Sequence, residues 1–186
     1  VLGLTLKVTA EAGLDAARPL LMFGFCVVLS LGLYAFGALP PKILIVSAPD
    51  PMWRGGLSAP RSLYLHLDRP MVSENATSTL LHELTHVVTR IRGEADDDDW
   101  LAEGLAEFYA VELLYRSGGM TEARHDKTLA WLADWGKGVK SLRKDRSSAE
   151  TTARAALLLL EVDREIAKAS GGSFLPRRGT GGAARD

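Results

Sequence analysis

Apolar and polar positions change period several times along this 186-residue chain, and each change marks an element. Within Val1 to Ala10, Leu4, Leu6 and Val8 alternate with polar residues, the period of a short strand. From Pro19 to Pro41 no residue is charged, and Leu20 to Leu39 is dominated by Leu, Val, Phe and Met. A stretch of that length and polarity meets the requirement for a membrane span, with Arg18 and Lys42 as its flanks. However, Gly24, Gly32 and Gly37 interrupt it, and it runs through Pro40-Pro41 into the strand-like segment Ile43 to Ser47. A buried helix feeding a central strand has the same pattern.

Ala48 to Pro60 is rich in Pro and Gly, includes Trp53 and reads as a loop. Ser62 to Leu67 alternates again, with Leu63, Leu65 and Leu67 on one face and Tyr64 and His66 on the other. This is a half-buried strand whose Tyr64 and His66 face substrate or solvent, solvent being the plainer reading. The period then lengthens. Leu80, Leu81, Leu84, Val87, Val88 and Ile91 keep helical spacing to about Arg92, with Ser73, Asn75 and Thr77 as N-cap candidates. Glu94 to Asp99 reads as a solvated loop, and Asp98 or Asp99 caps a helix from about Trp100 to Arg116, which Ser117-Gly118-Gly119 stops. Further helices cover Thr121 to Leu132, extending toward Trp135, and Ala149 to Ala169 around Leu157 to Leu160. From Gly171 the chain is rich in Gly and Arg and has no periodicity. The expectation is one domain over residues 1–172 and a flexible or truncated tail over 173–186, without internal repeats.

Composition narrows this picture a little. The length suffices for one buried core, and 47% hydrophobic with 24% charged residues is ordinary for a globular protein. A formal net charge of −1, without a basic stripe studded with aromatics, argues against a nucleic-acid partner. The single cysteine, Cys26, excludes an internal disulfide and a cysteine-built zinc site. It leaves the location open between the cytoplasm and a membrane-associated or exported protein of bacterial type. The chain begins with Val1 rather than Met, as a piece of a longer protein would.

The candidate chemistry lies in His82-Glu83-Leu84-Thr85-His86, an H-E-x-x-H pattern. Residues four apart share one face of a helix, so both imidazoles can reach one zinc ion. Glu83 stands about 100° around the helix from His82, out of the ligand plane but able to reach a water on the metal. There it would take the proton of that water and pass it to a leaving amine. A catalytic zinc takes three protein ligands and keeps one position open. Thr89 to Gly93 offers no third histidine, so the remaining candidates are acidic: the loop carboxylates of Glu94 to Asp99, or Glu103 one turn into the following helix. Antiparallel packing of the two helices would return Glu103 to the histidines, and Gly104 beside it removes a side chain where helices approach closely. Glu107 shares a face with Glu103 and either accepts a hydrogen bond from a ligand histidine or remains an exposed surface carboxylate.

Leu81 to His86 followed by Trp100 to Tyr109 resembles the paired zinc helices of the thermolysin-like peptidases with a glutamate as third ligand, the gluzincins, and most of all the glycyl aminopeptidase family. The aminopeptidase N family is a more distant resemblance. Weaker similarity extends over about Leu14 to Gly172. The resemblance implies an α+β fold, a thermolysin-like zincin domain with a small mixed sheet on a mostly helical body and two antiparallel zinc helices. It implies His82, His86 and Glu103 as Zn2+ ligands, Glu83 as base, Glu107 as support for a ligand histidine, and a peptide or protein as substrate. It favours a buried helix over membrane association through residues 20–39, because Phe36 to Pro40 resembles the family's helix before its central strand. It also places Gly55-Gly56-Leu57 with Ser62 to Leu67 at the edge strand that lines the cleft. Two departures stand out. The family's oxyanion-donating tyrosine would fall near Thr151 or Thr152, where none exists; His125, Tyr109 and Tyr115 are the substitutes to consider. The Gly-x-Met-Glu-Asn segment of the aminopeptidase N family is also absent, with Gly55-Gly56-Leu57-Ser58 in its place. The functions to weigh are therefore an active zinc peptidase, a degenerate zinc-binding or peptide-binding domain, and a membrane-anchored peptidase.

Overall fold

The computed structural model describes residues 5–10, 42–49, 51–52, 54–143 and 147–171. It is an α+β arrangement of a small mixed sheet and four helices. The strands are β1 (Thr5–Ala10), β2 (Lys42–Ala48), β3 (Gly56–Ala59) and β4 (Ser62–His66), in the spatial order β1-β2-β4-β3. β2 pairs in parallel with both β1 and β4, whereas β3 runs antiparallel to β4 and forms one edge of the sheet. Residues 20–39 lie outside the described residues, as does the tail over 173–186. Among the described residues no helix is long and apolar enough to cross a membrane.

The alternation in β2 and β4 works as a face selector. Ile45 stands opposite Leu63, and both are buried with Ile43 and Leu65 on one face of the sheet. That face packs on Leu80, Leu81, Leu84 and Val87 of helix α1 (Thr79–Thr89), forming the first core cluster. Three expectations fail here. The loop expected over Ala48 to Pro60 contains β3, a strand of Gly-Leu-Ser-Ala that has little strand propensity and exists through its pairing with β4. Ser62 to His66 is an interior strand, and β3 is the edge. His66 is 3% exposed rather than solvated, because the chain turns over it at the strand's end, where Asp68 N–H donates to His66 Nδ1 at 3.1 Å. Tyr64 is half-buried and donates its hydroxyl to the carbonyl of Ala48.

Ser78, not Ser73, Asn75 or Thr77, caps α1, its Oγ accepting from Leu81 N–H. Ser73 and Thr77 bond to each other instead. The helix stops at Thr89 rather than Arg92. Arg90 enters the left-handed region (φ 56°) and donates its N–H to the carbonyl of His86. A 3-10 turn, Asp96–Asp98, then leads into α2 (Asp99–Arg116). Asp98 is the N-cap residue but makes no side-chain cap bond; its carboxylate pairs with Arg143.

Helices α2, α3 (Glu122–Gly136) and α4 (Ala149–Ala169) form the helical body. Thr121 and Ser148 cap the last two by accepting from Arg124 and Thr151 N–H. Val111, Met120, Leu132 and Ala153 pack together, and Phe108, Ala156 and Leu160 form a further cluster. The approach of α2 to α4 is close: a Cβ on Gly104 would stand 2.4 Å from the Cβ of Ala155. Gly104 therefore accommodates α4, not the histidine helix. At the other end of α2, Arg116 joins Glu112 and Asp163, and Glu112 accepts from His125 at 2.8 Å.

Candidate metal centre

Two helices bring the site together. α1 is held on the sheet by its apolar face and turns His82 and His86 toward α2, where Glu103 and Glu107 lie one turn apart. His82 Nε2 is 3.1 Å from Glu103 Oε2, His86 Nε2 is 3.4 Å from Glu103 Oε1, and the two Nε2 atoms are 3.3 Å apart. His86 meets Glu103 while His82 reaches on to Glu107, the contact order of antiparallel helices. Among the described residues, His82, His86 and Glu103 form the one group of three whose ligand atoms all lie within 4.8 Å and could hold a metal ion.

The donor set suits zinc. Ligand atoms at about 2.0–2.1 Å in a tetrahedron are separated by about 3.3 Å, the spacing of the two Nε2 atoms, and each of them has one oxygen of the Glu103 carboxylate at 3.1 or 3.4 Å. The second nitrogen of His82, Nδ1, is 3.1 Å from Glu107 Oε2. Donation from Nδ1 to this carboxylate leaves Nε2 free to ligate and fixes the ring. Electrostatics point the same way. Burial pulls the pKa of His82 down, but hydrogen bonds to Glu103 and Glu107 and their charges outweigh it and raise it to about 10. Burial pushes Glu103 up, yet hydrogen bonds from His82 and His86 hold it far below the ordinary carboxylate range. A pocket that retains a proton so firmly is one that attracts a cation.

Glu83 lies outside this triangle, in the wall of the same cleft, and is 8% exposed. Burial raises its pKa against the opposing charges of His82 and His86. Ser58 of β3 bonds to it, and a Cβ on Gly56 would fall 2.7 Å from its Cγ, so the edge strand passes directly over this carboxylate. Ser58 carries no motif that would have singled it out; its role follows from β3, which composition conceals. The cleft measures about 1400 Å³ and runs between β3 and the two ligand helices. That is larger than the roughly 300–1,000 Å³ of small-molecule pockets and suits an extended chain.

The remaining candidates are not brought to this cleft. His125 is buried against Glu112 and stacks on Tyr115 with ring centroids 4.1 Å apart. Tyr109 packs on Phe108, and neither it nor Tyr115 lines the cleft. Thr151 is fully buried, and Thr152 Oγ1 lies 3.1 Å from Ser147 Oγ. The start of α4 does reach the cleft, but through Ala149. Of the loop carboxylates, Glu94 and Asp99 line the cleft without joining the ligand group.

No protein-family model matches the chain, and no curated protein matches it. Among solved structures, it is similar to the crystal structure of an aminopeptidase N family protein from Idiomarina loihiensis, with a TM-score of 0.64 and 17% sequence identity. The match covers 90% of this chain but 36% of that one, so the chain spans about a third of the length of this structural relative. At this identity the similarity establishes a peptidase-like fold.

Proposed function

We propose that the chain is a zinc-dependent peptidase domain in which His82, His86 and Glu103 hold the ion and Glu83 is the general base. The observation that carries this reading is the convergence of His82 Nε2, His86 Nε2 and the Glu103 carboxylate, one ligand atom from each within 4.8 Å of the others, with a separate, buried carboxylate, Glu83, beside them. A purely structural zinc site closes all four positions with protein ligands and has no use for Glu83. Zinc held there would polarise a peptide carbonyl and acidify water. β3 pairs with β4 on one side and, among the described residues, with no strand on the other. It can bind an extended substrate by backbone hydrogen bonds, with Leu57, 56% exposed, beside the peptide's side chains. Glu83, its proton affinity raised by burial, takes a proton from the attacking water and returns it to the departing amine. Glu107 keeps His82 in the ligating tautomer.

A second reading, a zinc-binding domain without turnover, is favoured by the lack of a tyrosine in the cleft lining among the described residues. One experiment separates them. The purified chain is analysed for metal and incubated with a peptide library, with and without chelator. The peptidase reading expects about one zinc per chain, chelator-sensitive cleavage, and a Glu83→Ala variant that retains zinc but loses activity by about 10²–10⁴-fold. Zinc without cleavage supports the second reading, and wild type that binds no zinc defeats both.

A further inference from the structure

The wall of the cleft outside the metal centre is predominantly basic. Arg61, Arg69, Arg90 and Arg92 line it, against Glu94 and Asp99. None of the four arginines pairs with a carboxylate among the described residues. Arg69 is engaged, its Nε donating to the carbonyl of Arg54, whereas Arg61, Arg90 and Arg92 make no side-chain hydrogen bond among the described residues. These three border the two elements that frame the reacting centre. Arg61 closes the turn from β3 into β4, and Arg90 follows the last turn of α1, four residues beyond His86, with Arg92 two residues further on.

The backbone gives a second, independent sign. Among the described residues three non-glycine residues have positive φ, and two of them are Arg61 (64°) and Arg90 (56°). The second central residue of a Pro60-Arg61 turn and the left-handed cap of a helix are both positions where glycine or asparagine is favoured. Arginine is a poor choice for the chain at each, so its side chain meets a requirement that the turn does not set. Both positions open onto the same cleft.

We propose that Arg61, Arg90 and Arg92 form a carboxylate-recognising rim that selects acidic peptides, binding an aspartate or glutamate side chain near the scissile bond. This rests on the peptidase reading above and names its substrate class. A peptide lying along β3 with its reacting carbonyl at the His82–His86–Glu103 triangle passes these arginines. Guanidinium groups match carboxylates with paired, charge-assisted hydrogen bonds.

The test uses the zinc-loaded full chain and peptide pairs that differ in one residue, Glu against Gln or Asp against Asn, each with a free and an amidated C-terminus. The acidic member is expected to show a kcat/KM about tenfold higher, the scale of one charge-assisted hydrogen bond, in amidated peptides as well as free ones. The ratio should fall toward one in an Arg61→Gly, Arg90→Gly, Arg92→Gln variant. Glycine suits the left-handed backbone at both positions, and circular dichroism confirms that the fold persists. A ratio near one in active wild type, or one that survives the triple variant, overturns the proposal and leaves the peptidase reading intact. A preference that disappears on amidation assigns the rim to the chain terminus and overturns recognition of a side chain. If nothing is cleaved, the peptidase reading fails, and the rim is judged by fluorescence anisotropy of labelled Glu and Gln peptides. Tighter binding of the Glu peptide that is lost in the variant then upholds the rim, and equal binding overturns it.

Discussion

Gly104→Ala tests whether the approach of α2 to α4 sets the geometry of the metal centre. The added methyl would lie 2.4 Å from the Cβ of Ala155, 3.1 Å from its carbonyl carbon and 3.3 Å from its Cα. Carbon atoms rest at about 3.5–4.0 Å, so the helices must part by about 1 Å, and the backbone of α4 cannot fold aside as a long side chain would. Overpacking of this kind costs about 1–3 kcal/mol, while replacing a mid-helix glycine returns about 1 kcal/mol of helix propensity. The net expectation is a loss of up to about 2 kcal/mol in urea unfolding, against a change within about 0.5 kcal/mol for Gly138→Ala, which meets nothing within 4 Å. A second readout is more specific. Glu103 adjoins Gly104, and metal sites hold their distances to about 0.2 Å, so zinc affinity should fall with stability. Adding Ala155→Gly should recover part of both losses, a coupling that a double-mutant cycle measures. If Gly104→Ala proves at least as stable as wild type and binds zinc equally well, the close approach does not position Glu103 and the reasoning fails.

Three further outcomes follow from the same geometry. Gly56→Ala would place a methyl 2.6 Å from Thr79 Cγ2 and 2.8 Å from Glu83 Oε1. If Glu83 is the base proposed above, this should lower kcat by about 10²-fold, the effect of a misplacement near 1 Å, at unchanged zinc content; an unaltered kcat would show that β3 does not position Glu83 for catalysis. Glu107→Gln should weaken zinc binding by about 10–100-fold in a chelator competition, and an unaltered affinity would remove Glu107 from the site. Glu112 connects to pH. Burial pushes its carboxyl up, but hydrogen bonds from His125 and Arg116 and their charges hold it below its ordinary value. Because the folded value lies below the unfolded one, this stabilisation is full above pH 4.5 or so and is lost as pH falls through the folded value. Glu112→Gln should cost about 3 kcal/mol near neutral pH and flatten the acid limb of stability against pH; parallel profiles for the two proteins would contradict this.

Much of this architecture was legible in the chain, and the failures share a cause. The ends of α2 and α4 agree with the sequence reading within a residue, because caps, glycines and apolar spacing coincide there. His82, His86 and Glu103 converge as helical spacing requires, since that periodicity is local. What depends on distant partners was hidden. Gly56 to Ala59 becomes a strand by pairing with β4, and His66 is buried by a turn that follows its own strand. Four cap-forming residues, Ser73, Asn75, Thr77 and Ser78, precede α1, and the extended backbone at Ser78 decides among them. Gly104 was recognisable as a point of close approach, but its partner, Ala155, lies 51 residues further on.

The edge position of β3, which among the described residues pairs with β4 alone, has a consequence beyond the proposed peptide site. An edge that could take a peptide could equally take a second copy of the chain, and a longer, flatter one would invite self-association. β3 counters this in its own sequence. It is four residues long, ends against Pro60, and is bracketed by the exposed cations Arg54 and Arg61. Two such edges brought together would gain few hydrogen bonds and set arginines near arginines. A strand so short and so flanked resists growth into a seam between molecules, whatever segment it is proposed to admit.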